Sequence, residues 1–262
     1  MQTTLILGGT GKTGRRIARR LENARIASRT DGFDLGDTAS WASALDGVTA
    51  VYLVEPDLRA ARLPRFVDHA VAAGVSRLVM LSAPRAGEEG HPLHAAERAV
   101  RESGAGWTIL RPQWFAQNFS EGPWAAGIRE GVLALPAGAG AAPFVDAEDI
   151  ADVAAAALTD DRHAGEVYDL TGPRAVGFGE AVDLIARAAG REIEYADVEP
   201  RVFVERQIAY GVPETVARLL TGLLADLREG RGADLGDGVE RALGRPPRSF
   251  EEFVAATTWL VS

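Results

Sequence analysis

Seven residues near the N-terminus, Gly8-Gly9-Thr10-Gly11-Lys12-Thr13-Gly14, limit what this 262-residue chain can become more than any other stretch. They follow an apolar run, Thr3–Leu7, that reads as a strand, and they open an amphipathic segment that reads as a helix over residues 12–22. Gly9, Gly11 and Gly14 satisfy G-x-G-x-x-G, and Gly8, Gly11 and Gly14 satisfy G-x-x-G-x-x-G. Between a strand and a helix, such glycines permit a tight turn, let a diphosphate approach the backbone, and let the helix pack closely on the strand. The helix start then offers unpaired N–H groups and a positive dipole end to the phosphates. Gly11-Lys12-Thr13 also resembles the end of a Walker A loop. That loop needs a glycine five positions earlier, and Ile6 stands there. The stretch therefore predicts a dinucleotide site.

The end of the second strand, residues 25–28, indicates which dinucleotide. A site for NADH places a carboxylate there to hold the ribose 2′-hydroxyl. This chain reads Ala27-Ser28-Arg29 instead. Arg29 suits a 2′-phosphate through charge-assisted hydrogen bonds, with Ser28 and Lys12 as further donors, so NADPH is expected over NADH.

Composition removes several alternatives. With 37 acidic against 28 basic residues the net charge is −9, which disfavours nucleic acid as a partner. The cluster Arg15, Arg16, Arg19 and Arg20 reads as a solvated helix face beside an anionic cofactor. There is no cysteine, hence no disulfide, thiolate metal site or cysteine nucleophile, and four scattered histidines offer no metal spacing. No membrane span and no signal peptide are read from the sequence, so a cytoplasmic protein with no membrane partner is expected, a monomer or homodimer acting on a small molecule.

Apolar runs and amphipathic patterns alternate along the chain, as in βαβ units. Strands are predicted at Thr3–Leu7, 25–28, around 33–37, 50–54, Arg77–Leu81 and 107–110, with helices at 38–45, 63–73 and 93–102. Beyond Pro112 a helix at 147–158, a strand at Glu166–Leu170 and helices at 179–189, 214–227 and 249–260 follow, the last opened by a capping box of Ser249 and Glu252. The expected fold is α/β: a Rossmann-type doubly wound parallel sheet with a smaller C-terminal α/β substrate lobe. Residues 1–118, with about 144–172, are assigned to the cofactor-binding core, and 119–143 and 173–262 to the lobe.

With these residues in view, the whole chain resembles the NmrA-like group of atypical short-chain dehydrogenase/reductases. The resemblance runs through Phe66-Val67-Asp68-His69-Ala70, then Gly74 to Ala83, then Ser103-Gly104 to Thr108-Ile109-Leu110-Arg111-Pro112 with Phe115 and Asn118. It continues in Phe144-Val145-Asp146, Asp149-Ile150-Ala151 and Leu170-Thr171-Gly172-Pro173. Gly244-Arg245-Pro246-Pro247 with Phe250 fits bacterial quinone-reductase-like and ergot-alkaloid-reductase-like members. The resemblance implies that Gly8 to Gly14 and Arg29 take the phosphates and that Asp34 and Leu35 flank the adenine. It implies that Val54, Glu55, Pro56, Ser82 and Ala83 border the ribose and nicotinamide, with Pro112, Phe115 and Asn118 near the nicotinamide face.

One element of ordinary short-chain dehydrogenases is missing. They use a Tyr-x-x-x-Lys pair in which the lysine lowers the tyrosine pKa. Lys12 is the single lysine here, so no such pair exists. Four readings remain open. Hydride could pass to an acceptor needing little acid help, such as a quinone, an iminium ion or a cationic dye. His94, or His91, could donate the proton instead. The protein could otherwise bind NADP(H) without turnover and act as a redox sensor, or keep the fold for a non-redox isomerase or cyclase reaction. Trp114, Phe119 and Trp124 are candidate walls of a pocket for a flat aromatic substrate. The leading expectation is an NADPH-dependent reductase of small aromatic or conjugated electrophiles: quinones, imines or carbonyls.

Overall fold

The computed structural model describes residues 3–56 and 61–259. Along the chain run β1 (Thr3–Leu7), α1 (Gly14–Ala18), β2 (Ala24–Ala27), α2 (Trp41–Leu45), β3 (Val48–Leu53), α3 (Leu63–Ala72), β4 (Arg77–Leu81), α4 (His94–Glu102), β5 (Gly106–Pro112), α5 (Asn118–Glu121) and α6 (Ala125–Glu130). There follow β6 (Val132–Leu135), β7 (Ala141–Ala142), α7 (Ala147–Thr159), β8 (Glu166–Leu170), β9 (Val176–Gly177), α8 (Phe178–Ala189), β10 (Glu194–Asp197), α9 (Pro200–Ala209), α10 (Glu214–Arg228), α11 (Gly238–Leu243) and α12 (Phe250–Ala256). The chain divides into two compact units. The first takes the residues up to Pro112, Ala147–Leu170 and Gly236–Pro246; the second takes Gln113–Asp146, Thr171–Leu235 and the residues from Pro247 on.

The first unit is a six-stranded, wholly parallel sheet in the order β2-β1-β3-β4-β5-β8. This is the doubly wound α/β arrangement expected from the sequence. Its strands are apolar on both faces because helices cover both. Leu5, Leu7, Val51, Leu53, Leu78 and Met80 join a core with Trp41, Phe66, Val67 and Val100 from α2, α3 and α4. Phe66 is fully buried and meets Phe33 and Trp41 edge-on, with ring centroids 5.8 and 5.2 Å away. The chain turns to opposite sides of β1 to form β2 and β3, so the sheet order reverses at the carboxyl end of β1, where α/β sheets bind ligands.

Three expectations are corrected in this unit. The stretch around residues 33–37 is a turn, and the sixth strand is β8, which pairs with β5. Asp34 Oδ1 accepts from the N–H of Gly36 at 2.7 Å and Asp37 Oδ1 from that of Ala39 at 3.0 Å, so short acidic side chains take donors that a strand would need. Of the arginine cluster read as a solvated face, Arg19 is exposed, but Arg16 and Arg20 are not free in water. Arg16 pairs with Glu148 at 2.7 Å, and Arg20 pairs with Glu148 and Asp152, both at 2.6 Å, which fastens α1 to α7. Arg245 reaches Asp152 at 2.5 Å and the fully buried Asp149 at 2.7 Å. Segment 236–246, assigned from the sequence to the lobe, thereby packs within the first unit. Gly236 and Gly238 press there on Asp169 so closely that a Cβ would meet its carbonyl oxygen at 2.3 and 2.6 Å.

The second unit has its own core, built on Phe119, Trp124, Phe144, Phe178 and Phe250. β6 and β10 pair in parallel and β7 and β9 antiparallel. The capping box of α12 is present: Ser249 Oγ accepts from the N–H of Glu252 at 3.1 Å, and Glu252 accepts from the N–H of Ser249 at 2.6 Å.

Candidate functional site

The glycine turn connects β1 to α1 at the carboxyl edge of the sheet. Gly8 has φ +63°, a left-handed backbone that a side chain would strain, and its carbonyl accepts from the N–H of Gly11 at 2.8 Å. A Cβ on Gly14 would lie 2.3 Å from the Gly8 oxygen and 2.7 Å from the Gly9 Cα, so the start of α1 reaches the turn only with glycine there. Beneath it, the buried Tyr52 of β3 donates its hydroxyl to Thr13 Oγ1 at 3.0 Å. Burial raises the Tyr52 pKa, so the phenol stays protonated and the link holds at any physiological pH. Lys12 stands at the turn with its pKa pulled down to about 8, first by burial and then by the charges of Arg16 and Arg15. A bound phosphate would hold its charge to higher pH.

Beside the turn lies a cleft of about 570 Å³ lined by Gly8, Thr10, Ser28, Arg29, Asp34, Leu35, Val54 and Pro56, all expected from the sequence, together with Leu7, Ala27, Phe33 and Arg62. Arg29 is exposed and its guanidinium bonds to none of the described residues, which leaves its donors open to a ligand anion. Ser28 differs from expectation. Its hydroxyl bonds to Asp31, and to Thr30 Oγ1 at 2.7 Å, so its proton is already engaged within the turn. Glu55 differs too. It is buried, and its Oε2 accepts from the N–H groups of Arg62 and Leu63 at 2.8 and 3.0 Å. It satisfies the start of α3 and neutralises the helix dipole rather than lining the cleft. Arg62 escaped the sequence reading. Only the fold carries it, 33 positions beyond Arg29, to the same cleft.

At the ends of β4 and β5 a second cluster forms. Ser82, following β4, donates to Glu97 Oε1 of α4 at 2.6 Å, and Arg111 of β5 grips the same carboxylate with Nε at 2.9 Å and Nη2 at 2.6 Å. Burial opposes the charge on Glu97, but the hydrogen bonds from Arg111 and Ser82 outweigh it and hold the carboxyl below its usual range. Glu97 is therefore an ionised anchor. His94, one turn earlier on α4, sets its Nδ1 3.0 Å from the Gly87 carbonyl. Gly87 in turn lies so close to Arg111 that a Cβ would meet Nη2 at 2.5 Å. His91 Nδ1 accepts from the N–H of Leu93 at 3.1 Å and so has that nitrogen engaged. Ala83 and Pro112 end this neighbourhood, half-buried and buried respectively.

Phe115 and Asn118 belong to the second unit, where Phe115 forms a parallel bridge with Val145 and Asn118 opens α5. The expected aromatic wall is corrected here. Phe119 and Trp124 are 0% and 1% exposed, and their rings contact each other at 4.8 Å and Phe144 at 5.2 and 6.2 Å. They are core side chains with no face left for a substrate. Trp114, stacked on Trp124 at 5.3 Å, keeps a partly exposed side.

The residues fit a dinucleotide: a glycine cradle that any Cβ would fill, a cleft beside it and, in that cleft, Arg29, unpartnered among the described residues. Among the described residues no group of three or more His, Asp or Glu side chains could hold a metal ion, and no helix is long and apolar enough to cross a membrane.

Comparison with known proteins gives the same picture. A sequence model of the NAD(P)H-binding family matches residues 28–161. The uncharacterized oxidoreductase YesF of Bacillus subtilis is 37% identical across 96% of this chain and 94% of its own length. The NAD(P)H azoreductase of Xenophilus azovorans is 31% identical across 96% of each. The structure of the Escherichia coli NADPH-dependent quinone oxidoreductase QOR2 with NADPH superposes with a TM-score of 0.79 at 24% identity, covering 97% of this chain and 99% of that one.

Proposed function

Because the chain belongs to the NAD(P)H-binding oxidoreductases, in their NmrA-like atypical short-chain dehydrogenase/reductase group, we propose that it is an NADPH-dependent reductase of small aromatic or conjugated electrophiles. The observation that carries the cofactor preference is the cleft beside the glycine turn, where Arg29 has no partner among the described residues and no carboxylate occupies the end of β2. The curated azoreductase and the quinone oxidoreductase supply the substrate class, since azo compounds and quinones are both conjugated electrophiles.

When bound, the reduced nicotinamide supplies a hydride. The chain's residues hold and orient its carrier: the N–H groups at the start of α1 and the charge of Lys12 hold the diphosphate, and Arg29 holds the 2′-phosphate. Ser82 is held in place by Glu97, which Arg111 holds in turn. With no Tyr-x-x-x-Lys pair available, acceptors whose reduced anion is stable need little more than proximity and orientation. Acceptors that develop a basic atom take their proton from His94 through Nε2, the ring nitrogen that does not face the Gly87 carbonyl. The second unit is the substrate lobe, with Trp114 as its aromatic contact.

Incubating the purified protein with NADPH and a panel of quinones, azo dyes and imines tests this reading. Loss of nicotinamide absorbance above the uncatalysed rate is expected with at least one class. Tight NADPH binding with no acceptor consumed would instead favour a sensor.

A further inference from the structure

The cleft holds a second arginine that no comparison assigns. Arg62 precedes α3, and its backbone is fixed by Glu55, whose Oε2 receives the N–H groups of Arg62 and Leu63 at 2.8 and 3.0 Å. That anchoring involves the main chain alone. The side chain is half-buried and runs over the Asp34–Gly36 turn: a Cβ on Gly36 would lie 3.2 Å from Arg62 Cζ and 3.3 Å from Nη1. Among the described residues no ion pair joins it to Asp34, whose Oδ1 accepts from the N–H of Gly36 at 2.7 Å. Among the described residues the guanidinium has no hydrogen bond and no ion pair. An arginine held half out of water without a partner is costly unless a ligand completes its surroundings.

Its neighbours indicate which part of a ligand it meets. Arg62 shares the cleft with apolar Leu35, Val54 and Pro56 and lies over the Asp34–Gly36 turn, whereas Arg29 stands next to the polar Ser28–Asp31 turn. A planar, delocalised cation beside an apolar slot suits the face of an aromatic base. We propose that Arg62 closes the adenine slot by stacking its guanidinium on the base, and that it supports NADPH and NADH equally while Arg29 tells them apart. The inference rests on the dinucleotide reading above.

Arg62→Lys and Arg62→Ala test it by titration calorimetry with NADPH, NADH and reduced nicotinamide mononucleotide, which lacks adenosine. Both substitutions retain the backbone bonds to Glu55, so thermal unfolding should match the parent. Stacking predicts about tenfold weaker binding of both dinucleotides by either variant, because lysine keeps the charge but not the plane, with the mononucleotide unaffected. Loss confined to NADPH, with Arg62→Lys retaining affinity, would overturn stacking in favour of a phosphate contact. Unchanged affinities would remove Arg62 from the site altogether. If the parent protein bound neither dinucleotide, the dinucleotide reading itself would fall, which is a separate result from an Arg62 variant that binds as the parent does.

Discussion

Arg111 places two nitrogens on one carboxylate, Nε and Nη2 lying 2.9 and 2.6 Å from the two oxygens of Glu97, and so ties β5 to α4 just below Ser82. The pair is nearly dry on the acid side, with the Glu97 side chain 2% exposed. Arg111→Met should then destabilise the protein by about 3–5 kcal/mol, since it strands a buried carboxylate. Urea denaturation at neutral pH measures this. The depressed Glu97 pKa adds a sign. Its stabilising contribution is complete above the ordinary carboxylate pKa of about 4.3 and is lost as pH falls through the lower folded value. The gap between parent and variant should narrow in acid; a constant gap down to acid unfolding would contradict the assignment.

Arg29→Ala should weaken NADPH binding on the order of 10–100-fold, the range for removing a charge-assisted contact, and NADH binding by less than about threefold. Equal losses for the two cofactors in a fluorescence titration would place the 2′-phosphate elsewhere.

Lys12, with its pKa near 8, makes cofactor binding depend on pH. A bound diphosphate raises that pKa, so affinity should fall as pH rises above about 8, approaching a tenfold loss per pH unit while the free protein is deprotonated and the complex is not. In the free protein the sign for stability is opposite. Between pH 8 and the ordinary 10.5 the unfolded chain binds the proton that the folded chain has lost, so stability rises through this window. Lys12→Met should flatten both profiles.

His94→Gln separates the acceptors by their need for a proton. Turnover of imines or carbonyls should drop by roughly a hundredfold or more, while quinone reduction stays near the parent rate. Equal rates for every acceptor would take His94 out of the chemistry.

Phe119→Ala should cost about 3–5 kcal/mol, as expected for emptying a packed aromatic core. Below the melting transition, KM for any accepted substrate should stay near the parent value. A changed KM in a protein that melts like the parent would restore Phe119 to the pocket.

What could be read directly from the chain was governed by short-range geometry. The glycine cradle, the alternation that makes a parallel sheet, the absence of any Tyr-x-x-x-Lys pair and the box of Ser249 and Glu252 all lie within a few residues, where backbone turns and helical spacing set the outcome. The readings that changed concern partners brought together only by folding. Arg16 and Glu148 are 132 positions apart, so two members of a run of arginines that looks solvated in isolation, Arg16 and Arg20, are taken up by α7. Glu55 sits in a cofactor-lining stretch, yet it faces a helix start whose unpaired N–H groups attract it more strongly. Phe119 and Trp124 look like a wall to any reader of composition, and the second unit buries them because aromatic surface is worth most where water is excluded. Arg62 had no local signal at all. Its meaning comes from the start of α3 lying beside the cleft, and sequence spacing contains no record of that placement.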